Sequence, residues 1–308
     1  MNEKLVLIGA GSAVFTRGLL ADVLKQDWKG EIALVDIDMD ALEVAEKLSR
    51  KMLDARGSSL KLSASTERRA VLQGATAVIC TISVGGRDAW HQDVLIPRKY
   101  GIYQPVGDSV MPGGTSRALR MIPAMVDIAK DVVDLAPDAL FFNYGNPMSA
   151  VCRGVRKATN ADMIGLCHGV FDVAGGIAEL LGTTRDNLTY TAIGVNHLTW
   201  FTEILKDGEN VMPRLREIAA EKLGERIGNG ALGKYFAEAG DTDEDIALSL
   251  LWPFTLELTR LFGAFPAVGD RHISEFFPHM FSAERGYFGK TLGVDVYNLE
   301  RCLEDGHA

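Results

Sequence analysis

The 308-residue sequence lacks an excess of positive charge, long apolar runs and any dense cysteine pattern. Lys and Arg number 32 against 41 Asp and Glu, giving a formal charge of −9 at pH 7 and a pI near 5.2. With no basic stripe to neutralise phosphates, nucleic acid is not expected as a partner, whereas a local basic pocket for an acidic small molecule remains compatible with the balance. No segment has the length and apolarity of a membrane span, and Met1 leads through charged residues into a strand pattern, so a cytoplasmic protein without membrane contact is expected. Cys80, Cys152, Cys167 and Cys302 are too scattered to frame disulfides, which points to a reducing compartment. Ten prolines form no linker, and neither a repeat nor a low-complexity stretch occurs. What is present is a normal globular balance, 47% hydrophobic and 24% charged, enough for one large or two ordinary domains.

Apolar runs alternate with helical periodicity along the first two thirds of the chain. Lys4 to Ile8 reads as a strand ended by glycines, Arg17 to Lys25 as a helix, and Glu31 to Val35 as a second strand ending at Asp36. Further strands are expected at 60–64, 76–82, 138–143, 162–166 and 189–194, and helices at 41–55, 113–134, 147–157 and 170–181. Alternation of this kind builds an α/β fold, a doubly wound Rossmann-type parallel sheet. The character changes near 195, so the expected division is residues 1–194 for a dinucleotide-binding domain and 195–308 for an α+β substrate and metal region.

Gly9 and Gly11 sit between a strand and a helix, the setting in which such glycines keep a turn tight and let backbone approach a pyrophosphate at a helix N-terminus. The third glycine of the dinucleotide pattern is replaced by Val14. Asp36, at the end of the second strand, suits a ribose diol and repels a 2′-phosphate, favouring NAD over NADP. Ser12, Ala13, Val14 and Phe15 on the turn, Ser83 after the fourth strand and Asn143 after the fifth complete the expected cofactor contacts. A tight βα turn with Asp36 as a helix cap is the plainer reading of the same residues.

Two pairs, Cys167-His168 and Asn196-His197, each close an expected strand and should lie at the carboxyl edge of the sheet, where open α/β folds bind ligands. A thiolate and an imidazole with open positions suit manganese, iron, cobalt or nickel better than a closed zinc site. A single buried Cys or His would mean little; two pairs at strand ends mean more. Asn143-Tyr144-Gly145-Asn146-Pro147 offers two amides for hydroxyl groups, or simply a turn. Asp270, between Gly269 and Arg271-His272, is either a proton acceptor or a helix cap.

At these residues the chain resembles glycoside hydrolase family 4, the NAD- and metal-dependent glycosidases. The resemblance runs through Ile8-Gly-Ala-Gly-Ser12, Gly145-Asn-Pro147, Cys167-His-Gly-Val170, Gly194-Val-Asn-His197 and Pro266-Ala-Val-Gly-Asp270, in that order. It implies a dehydrogenase-like fold of the lactate/malate type and a redox elimination that departs from two-carboxylate hydrolysis. Hydride leaves carbon 3 of the sugar for NAD, the resulting ketone acidifies the proton on carbon 2, the glycosidic oxygen departs from carbon 1, and water and hydride return. By the same resemblance Cys167 and His197 are the metal ligands, Mn2+ or another divalent ion, Asn146 binds substrate, and Asp270 is the base. His168 and Asp108 are candidates for protonating the leaving oxygen. A homodimer or homotetramer is also implied, and since family members are usually longer, either a truncated chain or a shortened C-terminal tail is expected.

Phospho-sugar members carry an arginine where this chain has Trp90, which can stack on a sugar face but not pair with phosphate. The run from Gly269 to Pro278 resembles the branch that cleaves α-linked uronic acids, with Arg271 and His272 placed to pair a carboxylate. Asn196 joins the expected substrate contacts. An α-galacturonide or α-glucuronide is the expected substrate, with a neutral α-galactoside or α-glucoside as the alternative. Two rivals lie outside the family: a metal-free hydroxy-acid dehydrogenase using Arg87, Arg117 or Arg120 as a carboxylate clamp, and a non-enzymatic NAD-responsive protein. The Cys167/His197 pair would have no task in the dehydrogenase, and in the binding protein NAD should bind while metal affects nothing.

Overall fold

The computed structural model describes residues 3–26, 28–227 and 253–280. The chain forms two compact units, Met1–Gly86 with Arg117–Leu166, and Arg87–Ser116 with Cys167–Ala308. Residues 87–116 and 167–194 therefore group with the second unit rather than with the first as the sequence-based division had them. Among the described residues no helix is long and apolar enough to cross a membrane.

The first unit is built on six parallel strands: β1 (Glu3–Ile8), β2 (Gly30–Val35), β3 (Lys61–Ser65), β4 (Ala77–Cys80), β5 (Leu140–Asn143) and β6 (Met163–Gly165). Their order is β3-β2-β1-β4-β5-β6, the order of doubly wound dinucleotide folds, with the switch point between β1 and β4. Period-two alternation serves both faces of the central strand. Val6 and Ile8 pack with Val78, Met125 and Phe141 on one side, while Leu5 and Leu7 pack with Leu20, Leu34 and Leu53 on the other. Helix α1 (Ala13–Lys25) is capped by Ser12, and α2 (Met39–Arg56) by Asp38, whose carboxylate accepts from Asp40 N and Ala41 N. Gly57, left-handed at φ 64°, ends α2. The expected helices and strands of this unit all form, within a few residues of their expected ends.

Among the described residues the further α-helices are α3 (Arg69–Leu72), α4 (Gly86–Arg98), α5 (Met111–Leu135), α6 (Met148–Ala158), α7 (Gly169–Leu180), α8 (Met212–Ile227), α9 (Pro253–Phe262) and α10 (Asp270–Ile273). In the second unit β7 (Leu188–Val195) does not extend the parallel sheet. It pairs antiparallel with β8 (Leu198–Lys206), which also pairs with β9 (Glu209–Asn210) and β10 (Phe265–Pro266). A two-residue turn at Asn196-His197 joins Val195 to Leu198, and a connection that short allows only an antiparallel return. The core of this unit gathers Ile177, Phe201, Leu215, Leu256 and Phe265.

Candidate functional site

Within the first unit the glycine turn follows β1. Gly9 N and Ala10 N donate to Val35 O, at 2.8 and 2.9 Å, tying the turn to the end of β2. Gly9 has φ +90°, and a Cβ there would stand 2.9 Å from Ile82 N. Gly11 N donates to Asp36 Oδ2 at 2.7 Å, and a Cβ on Gly11 would meet that oxygen at 2.8 Å. Glycine at 11 is thus what lets the Asp36 carboxylate close on the turn. Asp36 Oδ1 accepts from Asp38 N at 3.0 Å.

A cavity of about 820 Å³ opens at the switch point, lined by Gly9, Ser12, Phe15, Asp36, Ile37, Ser83, Tyr144 and Asn146 among others. Its volume lies in the range of cofactor sites. Ile37 is 91% exposed beside Asp36, an apolar surface next to a carboxylate, as an adenine and its ribose require. Arg117 braces the far wall, donating to Ser83 Oγ at 2.9 Å and to Asn146 O at 3.1 Å. The residues present fit a dinucleotide. Asn143 is fully buried, and its side chain donates to Gly145 O and accepts from Gly145 N, shaping the turn that carries Tyr144 and Asn146. The side chains of Ala13 and Val14 lie outside the described residues.

The second unit brings together residues from four separate segments. His197 occupies the β7–β8 turn at φ 64°, a conformation uncommon for a residue with a Cβ and the kind of strain that collects at functional sites. Its Nε2 lies 3.7 Å from Cys167 Sγ. On the opposite edge of the ring, Nδ1 lies 2.6 Å from Ser109 Oγ, and Ser109 Oγ donates to Asp108 Oδ1 at 2.6 Å. The hydroxyl proton is spent on the carboxylate, which assigns the imidazole proton to Nδ1 and leaves the Nε2 lone pair facing the thiol. A histidine whose far nitrogen is held by a hydroxyl–carboxylate relay is the arrangement of a metal ligand.

His272, on α10, stacks on His197 with ring centroids 3.6 Å apart. Its Nδ1 is buried without a hydrogen-bond partner and stands 3.9 Å from Asp108 Oδ1. One donor atom each of Asp108, His197 and His272 falls within 4.8 Å of the others. Burial, together with the neighbouring imidazole, pushes His197 well below the usual histidine range, and burial pushes His272 down as well, so both rings are neutral with lone pairs available. Thiol, two neutral imidazoles and a carboxylate fit a divalent transition ion, and the orphaned Nδ1 is the atom such an ion would satisfy.

The other expected residues take varied places. His168 is exposed at the start of α7, hydrogen-bonded to Asp172 one helical turn on, and its charge reaches both His197 and His272. Trp90 is half-buried and donates from Nε1 to Val106 O at 2.6 Å, so its indole is tied to the loop that carries Asp108. Asn196 precedes His197 in the turn, and Arg271 is half-buried on α10. Asp270 lies at the start of α10. It is 5% exposed and accepts from Phe254 N at 2.9 Å, Thr255 N at 2.8 Å and Thr255 Oγ1 at 2.7 Å, so its carboxylate anchors the first turn of α9. Burial raises it to about 6. Asn196-His197 lies in a hairpin turn and not at a parallel-sheet edge.

Sequence reasoning missed Ser109, Asp172, Gln104 and Glu275. Asp172 was visible as an acid four residues after His168 on an expected helix. Glu275 carried a weak signal, a carboxylate directly before Phe276-Phe277. Ser109 and Gln104 had none.

The model of the family 4 glycosyl hydrolases matches residues 4–183, and that of the family's C-terminal domain matches residues 192–301. The chain belongs to family 4 of the glycosyl hydrolases. It is 42% identical over 203 residues to an α-glucosidase of Erwinia rhapontici, covering 65% of this chain and 45% of that protein. An α-galactosidase of Bacillus subtilis is 37% identical over 223 residues, covering 71% of the chain and 52% of the relative. An α-galacturonidase of Bacillus subtilis is 33% identical over 284 residues, covering 89% and 61%. The chain thus spans between 45% and 61% of the length of these curated relatives. Among solved structures, the lplD protein of Bacillus subtilis superposes with a TM-score of 0.76 at 27% identity, covering 99% of this chain and 72% of the other. A 6-phospho-α-glucosidase from gut microorganisms, crystallised with NAD and Mn2+, has the same TM-score at 18% identity, covering 99% and 66%, and shares the fold.

Proposed function

We propose that this chain provides the cofactor and metal sites of an NAD- and divalent-metal-dependent α-glycosidase. The observation that carries the reading is the Cys167–His197 approach at 3.7 Å, with the imidazole proton fixed on the opposite nitrogen by Ser109. Family membership supplies the reaction class. When bound, NAD accepts and returns hydride and the metal steadies negative charge on sugar oxygens.

The chain's own residues then divide the work. Asp36 takes the ribose hydroxyls, Ile37 the adenine face, and the first amides of α1 the pyrophosphate. Cys167 and His197 hold the metal with Asp108 and His272 completing the donor set, and Asn146 binds the sugar. His168, kept in orientation by Asp172 and open to solvent, exchanges the proton at the glycosidic oxygen. Asp270 abstracts a proton only by releasing the α9 amides, so its proximate task is to hold α9 and α10 together.

The substrate reading is an α-linked uronic acid. Arg271 beside His272 supplies positive charge for a carboxylate, and the α-galacturonidase relative aligns over 89% of the chain. The 42% identity to an α-glucosidase favours a neutral α-hexoside instead. Hydrolysis of p-nitrophenyl α-D-galacturonide, α-D-glucuronide, α-D-galactoside and α-D-glucoside, each with and without NAD and Mn2+, separates these readings. Release that needs both additions and leaves no net NADH supports the redox glycosidase and ranks the sugars. Net NADH would mark a dehydrogenase.

A further inference from the structure

The loop that carries Asp108 and Ser109 has no regular structure, yet it must place both side chains to within a few tenths of an ångström against His197. Gly107 turns the loop at φ +67°, and a Cβ there would press on Val94 Cγ2 at 2.9 Å. Gly113 and Gly114, at the start of α5, pack so closely that a Cβ would meet Gly107 O at 2.7 Å and Ser109 C at 2.4 Å. Gln104, fully buried, clamps the far end, donating to Val110 O at 2.9 Å and accepting from Gly113 N at 2.9 Å. Trp90 fixes the Val106 carbonyl. The two consecutive amides that precede Asp108 remain, and both are met by a single atom: Val106 N and Gly107 N each donate to Glu275 Oε1 at 2.7 Å.

We infer that Glu275 is the positioning residue of the metal site, holding the Val106–Ser109 loop from within the protein so that Asp108 and Ser109 meet His197. Glu275 stands in the 3-10 turn Ser274–Phe276 that directly follows α10, where His272 sits. One carboxylate therefore ties the segment of His272 to the segment of Asp108 across 167 residues of sequence. It is 1% exposed, and its Oε2 is buried with no hydrogen-bond partner. Burial pushes its carboxyl up to about 8, and an amide in its place keeps an oxygen able to accept from both backbone donors.

The inference rests on the metal reading, and the test separates the two. Co2+ is titrated into the 308-residue chain and followed by its visible thiolate absorption, and amide hydrogen exchange is read over residues 104–110. Glu275→Gln keeps an acceptor at Oε1 and should match the wild type in both. Glu275→Leu, or Glu275→Asp should the leucine variant not fold, loses the two bonds. Its loop amides should exchange faster and its Co2+ affinity should fall by about 10- to 100-fold, the range for outer partners of a ligand. A folded Glu275→Leu or Glu275→Asp with wild-type exchange and Co2+ affinity overturns the positioning role alone. Failure of the wild type to take up Co2+ overturns the metal reading and the inference with it.

Discussion

The two units reach their chemistry by opposite routes. In the first, the features that make a dinucleotide site are consecutive or close in sequence: Gly9, Gly11 and Ser12 on one turn, Asp36 and Ile37 at the end of the next strand. Backbone supplies much of the work, through the Gly11 amide on Asp36 and the amides at the start of α1. In the second unit no two donors of the proposed metal set come from one element. Asp108 comes from a loop, Cys167 from the residues before α7, His197 from a hairpin turn and His272 from a short helix. The first site is a local property of a βα turn, and the second exists only when distant segments are pinned, which makes it dependent on buried residues that never touch a ligand.

The sharpest way to break this comparison is to remove a donor from the second unit and ask whether the first notices. Cys167→Ser replaces a soft sulfur with a poorer ligand and should cost more than about a hundredfold in metal affinity, exceeding the loss of an outer partner. NAD affinity of the same variant should stay within about twofold, because every contact of the turn and Asp36 lies in the first unit. Parallel titrations of Co2+ and NAD decide it. An unchanged metal titration removes Cys167 from the ligand set, and an equal loss of NAD shows that the sites are not independent.

Next in size is Asp270→Asn. The side-chain nitrogen of asparagine cannot accept from Phe254 N or Thr255 N, so at least one buried donor loses its partner. Stability should fall by about 2–3 kcal/mol in urea unfolding, with the loss placed in α9 and α10 by hydrogen exchange. A variant as stable as the wild type but without turnover would return Asp270 to the base role implied by the family resemblance.

These variants also mark what the sequence could and could not disclose. The parallel strands and helices of the first unit, the glycine turn and Asp36 were legible because hydrophobic period and turn chemistry are local signals. Cys167 and His197 were legible as residue types, yet their meeting was expected at a parallel-sheet edge, whereas a two-residue turn at Asn196-His197 returns β8 beside β7. Asn143 was read as a ligand contact because amides near strand ends often are; its pairing with Gly145 on both sides is visible only in the fold. Glu275 acts across 167 residues, a distance at which single-sequence pattern carries almost no information.

Asp36→Asn probes the local site with a smaller effect. Removing the charge while keeping the shape should lower NAD affinity about tenfold, the value of one charge-assisted hydrogen bond, and should narrow the preference for NAD over NADP. Co2+ affinity should be untouched. A fluorescence titration with NADH and NADPH reads both quantities, and undiminished NADH binding would leave Asp36 as a structural partner of Gly11 only.

The mildest prediction concerns pH at the buried site. Burial raises the Glu275 carboxyl in the folded chain to about 8, above its ordinary value of 4.5. Across that interval the folded chain binds more protons than the unfolded one, so this group's contribution is fully present below 4.5 and declines as pH rises toward 8. The metal-free wild type should therefore unfold at lower urea at pH 8.5 than at pH 6. Glu275→Gln has no proton to lose at that position and should flatten the decline. An identical slope in the wild type and Glu275→Gln would mean that the buried carboxyl ionises at its ordinary value, and that water reaches the Oε2 atom which the packing around α10 encloses.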